Sequence, residues 1–310
     1  MLLSNYLILN FSNSVKMKIY NCIFFFSAIL FFASCSEDFF EQTVDIDIPE
    51  HTPQLAVTSQ LSSGDTMLWA FLTPSQGILD NTAAQPIEDA TVELFRNGQL
   101  METLFYSGER FYTSISNTPL PTDADEYILK VSAPGFDPIE VVQQMPAPVP
   151  IISATYEAGG AIDIDGERVD EVSVEFVDPA GEDNYYQMTI VIEVERQNGG
   201  FTNSPYIYKL DPIAEELDNG QYLKDDSFDG KKYVWRVGFY EQHFDPNQSV
   251  KIHVQLSSVS RDQYFYERSV YLSVDADDNP FAEPVIIHSN VEGGQGVFTL
   301  SSKSVEVIEL

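Results

Sequence analysis

The chain has 310 residues, 44% of them hydrophobic and 13% aromatic, which is enough apolar side chain for a core and too much for wholesale disorder. Lys+Arg number 16 against 48 Asp+Glu, a formal net charge of -32; a phosphate backbone would repel that surface, so nucleic acid is excluded as a partner and electrostatic adhesion to anionic lipid is disfavoured. Two cysteines exclude a disulfide-rich scaffold and an all-cysteine zinc site.

The first element in chain order is a targeting segment. Met17-Lys18 leads into Ile23–Phe32, an uncharged, mostly apolar run of the length of a signal-peptide core. It falls short of the roughly 20 apolar residues that span a bilayer. Ala33-Ser34-Cys35 ends the run. Small residues before a cysteine at that place look like a bacterial lipoprotein lipobox, with Phe32 where Leu is more usual. In such a box the leader is cut before the cysteine and the sulfur is acylated, which makes Cys35 the lipidation residue and the lipid bilayer its partner. The competing reading is a buried cysteine behind an ordinary secretory signal. Residues 1–34 are expected to be a signal peptide, starting at Met17 rather than Met1, and 35–49 the lipidated cysteine with its tether. Cys22 leaves with the leader, so residues 36–310 hold no cysteine and no disulfide. Lipid chains contribute about 0.8 kcal/mol per buried CH₂, and two or more chains anchor stably. Ser36-Glu37-Asp38-Phe39-Phe40-Glu41 resembles the surface-export signal of Bacteroidota lipoproteins; the alternative is a plain solvated tether.

Beyond the tether, alternation of period two dominates. It is clear in Thr91–Phe95, Tyr127–Val131, Glu171–Phe176, Met188–Val194 and Ser249–Leu256. Turn signals separate these runs: Arg96-Asn97-Gly98, Ala133-Pro134-Gly135, Asp178-Pro179-Ala180-Gly181, Gln197-Asn198-Gly199-Gly200 and Phe228-Asp229-Gly230. The plan is all-β, a sandwich or barrel. Met145-Pro146-Ala147-Pro148-Val149-Pro150 reads as a semi-rigid spacer, which places a domain over 50–145, a linker over 146–150 and a larger β domain over 151–310. Helical signals are few. Asp211-Pro212 before Ile213–Leu217 predicts a short helix with Asp as its cap. Ser260 with Gln263 fits a capping box and predicts a helix through about Leu272, against a strand reading of Val270–Val274.

Chemistry is sparse. No Gly-x-Ser-x-Gly elbow, His-Glu-x-x-His pair or phosphate loop occurs, and no cofactor motif with them. Gly293-Gly294-Gln295-Gly296 reads as a turn or bulge. His51, His243, His253 and His288 do not pair at metal-ligand spacing and read as strand residues. Asp163-Ile164-Asp165-Gly166 and Asp275-Ala276-Asp277-Asp278-Asn279 offer oxygen ligands of the kind Ca²⁺ takes, but neither continues into an EF-hand loop, and solvated acidic loops explain both. Aromatics crowd the later half: Tyr185-Tyr186, Tyr206-Ile207-Tyr208, Tyr233-Val234-Trp235, Phe239-Tyr240 and Tyr264-Phe265-Tyr266. Neighbours on a strand face opposite sides, so one member of each adjacent pair is expected outside, where Tyr and Trp favour sugar, peptide or protein contact. The alternative is that sheets favour aromatics on both faces. A hydrolase whose Ser, His and Asp converge only in space would show as a triad in a pocket.

In their order, the segments resemble the lipoprotein family defined by domain of unknown function 4249. The pieces are CSEDFFEQTVDIDIPEHTPQLAV from Cys35, SQGILDN from Ser75, PIEDATVELFRNG from Pro86, YILKVSAPGFDPIEV from Tyr127, FVDPAGEDNYYQMTI from Phe176, SFDGKKYVWRV from Ser227, VQLSSVSRDQYFYERSV from Val254 and NPFAEPVIIHSNVEGGQGVF from Asn279. The first region also resembles the small sandwich of carboxypeptidase-regulatory and Ig-like domains. The resemblance implies a Bacteroidota outer-membrane lipoprotein, commonly encoded beside a TonB-dependent transporter, and no established chemistry. The expectation is a non-enzymatic lipoprotein facing the cell exterior that serves such a transporter in uptake; the alternative is a structural or adhesive surface lipoprotein without a transport role.

Overall fold

The computed structural model describes residues 51–310 except 78–79, 81, 164, 197–198, 243, 245–247 and 278–281. The first seven strands are β1 (Leu55–Ser62), β2 (Trp69–Pro74), β3 (Thr91–Arg96), β4 (Gln99–Tyr106), β5 (Phe111–Thr113), β6 (Glu126–Ser132) and β7 (Ile139–Gln144). Next come β8 (Ile151–Ile162), β9 (Arg168–Val177), β10 (Tyr185–Glu195), β11 (Phe201–Asn203), β12 (Ile207–Lys209), β13 (Glu215–Leu217), β14 (Gly220–Lys224), β15 (Lys232–Tyr240) and β16 (Ser249–Val259). A helix, α1 (Arg261–Asp277), and a last long strand, β17 (Gln295–Glu309), close the chain.

The fold is all-β, as the alternation requires. β1, β10 and β16 each bury every second residue over most of their length, and that period sets which face meets a core. Thirteen strands form one sheet in the order β13-β14-β10-β16-β17-β1-β2-β5-β4-β3-β6-β7, with β11 on β10; a second sheet runs β12-β15-β9-β8. The turn expected at Asn97-Gly98 closes the β3–β4 hairpin, with φ of 48° and 76°, the left-handed pair such a tight turn demands.

Among the described residues of the compact unit 51–310 lie two large apolar cores and a small third cluster of Tyr185, Leu217, Tyr222, Val259 and Tyr264 at α1. The first gathers Leu55, Leu72, Leu94, Tyr127 and Val141 with Phe298 and Leu300. The second gathers Val174, Phe176, Tyr186, Ile190, Trp235, Phe239 and Val254 between the smaller sheet and β10–β16. Residues 145–150 carry no regular structure and pass from one core to the other, with Met145 buried in the first and Val149 in the second.

β17 belongs to both. Its first half pairs parallel with β1, from Ala56↔Gln295 to Ser62↔Ser301; its second half pairs antiparallel with β16, from Val259↔Ser301 to Lys251↔Glu309. Where it passes between the cores, Ser302 faces Ser258 across the ladder and both are buried. Gly296 permits the parallel approach: φ is 99°, and a Cβ there would lie 1.9 Å from the Val57 carbonyl oxygen.

One expected helix is replaced. Residues 211–213 form a turn, and Glu215–Leu217 is β13, paired with β14 across Asp218-Asn219. Asp211 does cap the turn, accepting the Ile213 N–H at 3.1 Å. Glu215 reaches Tyr264 and Arg268 while Glu216 reaches Tyr206 and Lys209, two separate sets of partners that suit the alternating faces of a strand. The other helix forms as its cap predicts, with Ser260 Oγ accepting the Gln263 N–H at 3.3 Å. It continues past Leu272 to Asp277, and the competing strand over Val270–Val274 does not form.

Candidate functional site

Cys35 and the acidic tether lie outside the described residues, as do His243, Asp278 and Asn279. Asp163 accepts the main-chain N–H groups of Asp165 at 3.0 Å and Glu167 at 2.9 Å, so its carboxylate shapes its own loop. Asp275 and Asp277 stand in the last turn of α1. His253, on β16, meets Glu193 of β10 at 2.9 Å. His51, ahead of β1 rather than in a strand, contacts the Ser75 carbonyl at 3.1 Å. His288 lies outside any strand and meets Asp262 of α1 at 2.8 Å. Ser269 stands near that pair, but its hydroxyl donates to the Tyr266 carbonyl and accepts the His288 main-chain N–H, so it does not form a nucleophile–base bond with the imidazole.

Asp262 is held by three donors: His288, Gln143 of β7 and Asn290. Burial alone would raise its pKa, but those three bonds outweigh it and the carboxyl sits below the usual range. Glu267, one turn further along α1, goes the other way. Burial, helped by the nearby Asp218 charge, raises its pKa against the hydrogen bonds from Gln60 of β1 and Asn219.

One cluster escaped the sequence analysis. Asp178, Asp225 and Asp229 bring carboxylate oxygens within 4.8 Å of one another. Two come from loops whose turn signals were legible, but nothing local says that the loops meet. Asp178 accepts from Tyr186 Oη and from the Gly230 N–H at 2.8 Å; Asp225 accepts from the Asn184 N–H at 2.9 Å; Asp229 accepts from the Gly181 N–H at 2.8 Å. Burial raises the pKa of Asp178, and the two neighbouring carboxylates add to it. Each carboxylate is already bonded to main chain of the facing loop, which makes the trio a clasp between 178–184 and 225–230.

Tyr264-Phe265-Tyr266 stands on α1 rather than a strand, and Tyr185-Tyr186 does not divide between an inner and an outer face; Phe239-Tyr240 does. On β15, Trp235 and Phe239 are fully buried while Tyr240 is 65% exposed. Tyr185 and Tyr186 are both buried because α1 covers the outer face: Tyr264 and Phe265 stand 5.0 and 5.9 Å from the Tyr185 ring. Exposed Tyr206 and Tyr240 flank half-buried Tyr208 in a row. Tyr206 meets Tyr208 edge-on at 5.4 Å, and Tyr208 meets Tyr240 at 5.0 Å. Tyr206 donates to Glu216, and that bond pushes its hydroxyl pKa up to about 12.

Beside Tyr206 the edge of β10 is interrupted. β14 pairs with Tyr185–Met188 and β11 with Ile192–Val194. Among the described residues no strand pairs with Thr189–Val191 on that side. A cavity of about 480 Å³ opens there, lined by Thr189, Val191, Pro205, Tyr206, Asp218 and Asn219 among others.

Residues 41–306 match the model of a family described as "Domain of unknown function (DUF4249)". The chain belongs to the DUF4249 family. The matched span takes in both cores and nearly all of β17, so the family unit is the two-core body and not one half of it. No curated protein matches this member. Among solved structures it is similar to three N-terminal domains of the bacteriophage RB49 Highly Immunogenic Outer Capsid protein, at 10% identity over 82% of this chain and 71% of that one, TM-score 0.23. It is also similar to a Salmonella alpha-2-macroglobulin mutant, at 14% identity over 70% of this chain and 14% of that one, TM-score 0.22. Superpositions this loose carry no inference about fold or function.

Proposed function

We propose that this DUF4249 member is a non-enzymatic outer-membrane lipoprotein, anchored through Cys35, facing the cell exterior and capturing ligand for a TonB-dependent transporter. The observation that carries the reading is Ala33-Ser34-Cys35 directly behind the Ile23–Phe32 run, with an acidic segment after it. An acyl anchor confines a protein to two dimensions and raises its effective concentration beside a membrane partner. The strongly negative surface fits a protein held by lipid chains rather than by attraction to lipid headgroups. The transporter enters by family analogy, and the tyrosine row offers a contact surface on the second core.

Two measurements test it. Cells fed an alkynyl fatty acid should label the wild-type chain, and Cys35→Ser should abolish both the label and sedimentation with membranes. A Cys35→Ser product that sediments as before refutes the anchor. Purification of the wild type in mild detergent should retain a TonB-dependent transporter; recovery of the chain alone leaves the adhesive alternative in its place.

A further inference from the structure

The interrupted edge of β10 opens a concavity on the second core. We propose that it binds a neutral saccharide, with Tyr206 as the stacking face. The assignment deepens the capture role above and takes that role as its frame.

Several observations converge on this ligand class. The cavity, at about 480 Å³, falls within the usual range for small-molecule sites and holds one or two hexose rings. Its exposed ring is held at both ends, by the Tyr206–Glu216 bond and by the edge of Tyr208. A fixed aromatic face suits the C–H face of a pyranose and loses little entropy on contact. Thr189–Val191 pairs with β16 on one side but, among the described residues, with no strand on the other, so the N–H and C=O groups that point to that open side need donors and acceptors from elsewhere. Ring hydroxyls supply both. Gln221 follows the lining residue Gly220 and donates to the carbonyl of Ile207, another lining residue, at 3.1 Å; it is fully buried with Oε1 unpartnered, a spare acceptor behind the wall.

Charge narrows the choice. No Lys or Arg lines the cavity, and Asp218 and the nearby Glu216 are acidic, which rejects phosphates and carboxylates. Glu216 is already engaged by Tyr206 and the Lys209 N–H, which leaves Asp218 as the one lining carboxylate, too few ligands for the roughly six to eight oxygens a cation such as Ca²⁺ takes. An extended peptide would need a free edge along β10, but β14 and β11 close the gap at both ends. The row continues from Tyr206 through Tyr208 to Tyr240, and further rings of an oligosaccharide would extend along it.

The test is saturation-transfer NMR and calorimetry on the full chain in detergent, with no transporter present, so that loss of the transporter and loss of sugar binding are separate results. The probes are maltohexaose, cellohexaose and chitohexaose, with trialanine and glucose 6-phosphate as controls. At least one hexasaccharide should bind in the millimolar range or tighter. Tyr206→Ala should weaken it about ten-fold or more at unchanged melting temperature, and Tyr240→Ala should weaken the hexasaccharide more than the matching disaccharide. Asp218→Ala provides a second variant should Tyr206→Ala lower the melting temperature, and it should weaken binding as well. Failure of all three sugars at millimolar concentration overturns the assignment. So does tighter binding of either control, or equal binding by the wild type, Tyr206→Ala and Asp218→Ala.

Discussion

The two cores are built from the same alternating strands but are finished differently. The first is closed by short antiparallel hairpins such as β6–β7 and β3–β4, the latter with a register shift between Leu94 and Phe95. The second carries the edge gap at Thr189–Val191, the three-carboxylate clasp, the tyrosine row and the helix laid on its outer face. Concavities open on both halves, but the interrupted strand edge belongs to the second. Sheets that keep their pairing satisfy their own main chain; a sheet that breaks it leaves groups that something else must satisfy.

The sharpest way to break this comparison is to ask whether the halves are independent. The chain has two tryptophans, Trp69 packed against the first core and Trp235 inside the second. Each can report alone once the other is replaced by Phe. Gly296→Val places a side chain against Val57 O in a left-handed conformation and should cost about 4 kcal/mol or more in urea unfolding. Because β17 is shared, both reporters should shift together. A shift seen only by Trp69 would show that the cores unfold separately.

A smaller effect is expected at the junction of α1 with β7. Asp262→Ala removes the acceptor for Gln143, His288 and Asn290, and should destabilise by about 2 kcal/mol at neutral pH. Folding lowers this carboxyl's pKa, so its contribution is complete above the ordinary carboxylate range and is lost as pH falls through the folded value. The gap in melting temperature between wild type and variant should therefore narrow in acid. Glu267→Gln is the smallest and has the opposite sign. Folding raises this carboxyl's pKa, so its charge opposes folding at neutral pH and the opposition vanishes below the ordinary Glu value. The variant should gain about 1 kcal/mol at neutral pH and little at about pH 4, read by thermal melts across pH.

Local signals were legible wherever the cause was local. Alternation along β9, β10 and β16, the tight turn at Asn97-Gly98 and the cap at Ser260 follow from side-chain period, left-handed φ and an unsatisfied N–H. Asp211-Pro212 misled because an aspartate cap serves a turn as well as a helix, and the Asp218-Asn219 turn then folds the next residues into a hairpin. The cavity beside Tyr206 and the clasp of Asp178 with Asp225 and Asp229 depend on which loops meet, a property of distant pairing that no window of sequence contains. Of the cavity's lining, Tyr206 alone was flagged, by its place in an aromatic pair.

The shared strand also sets an order of events. β1 lies near the start of the described body, and its parallel partner does not exist until residues 295–301 have been made. A chain delivered amino-end first must hold Leu55, Val57 and Leu61 without that neighbour while almost everything else arrives, and pairing across such a span is intrinsically slow. A chaperone that recognises unpaired strands would find its substrate in this unfinished edge.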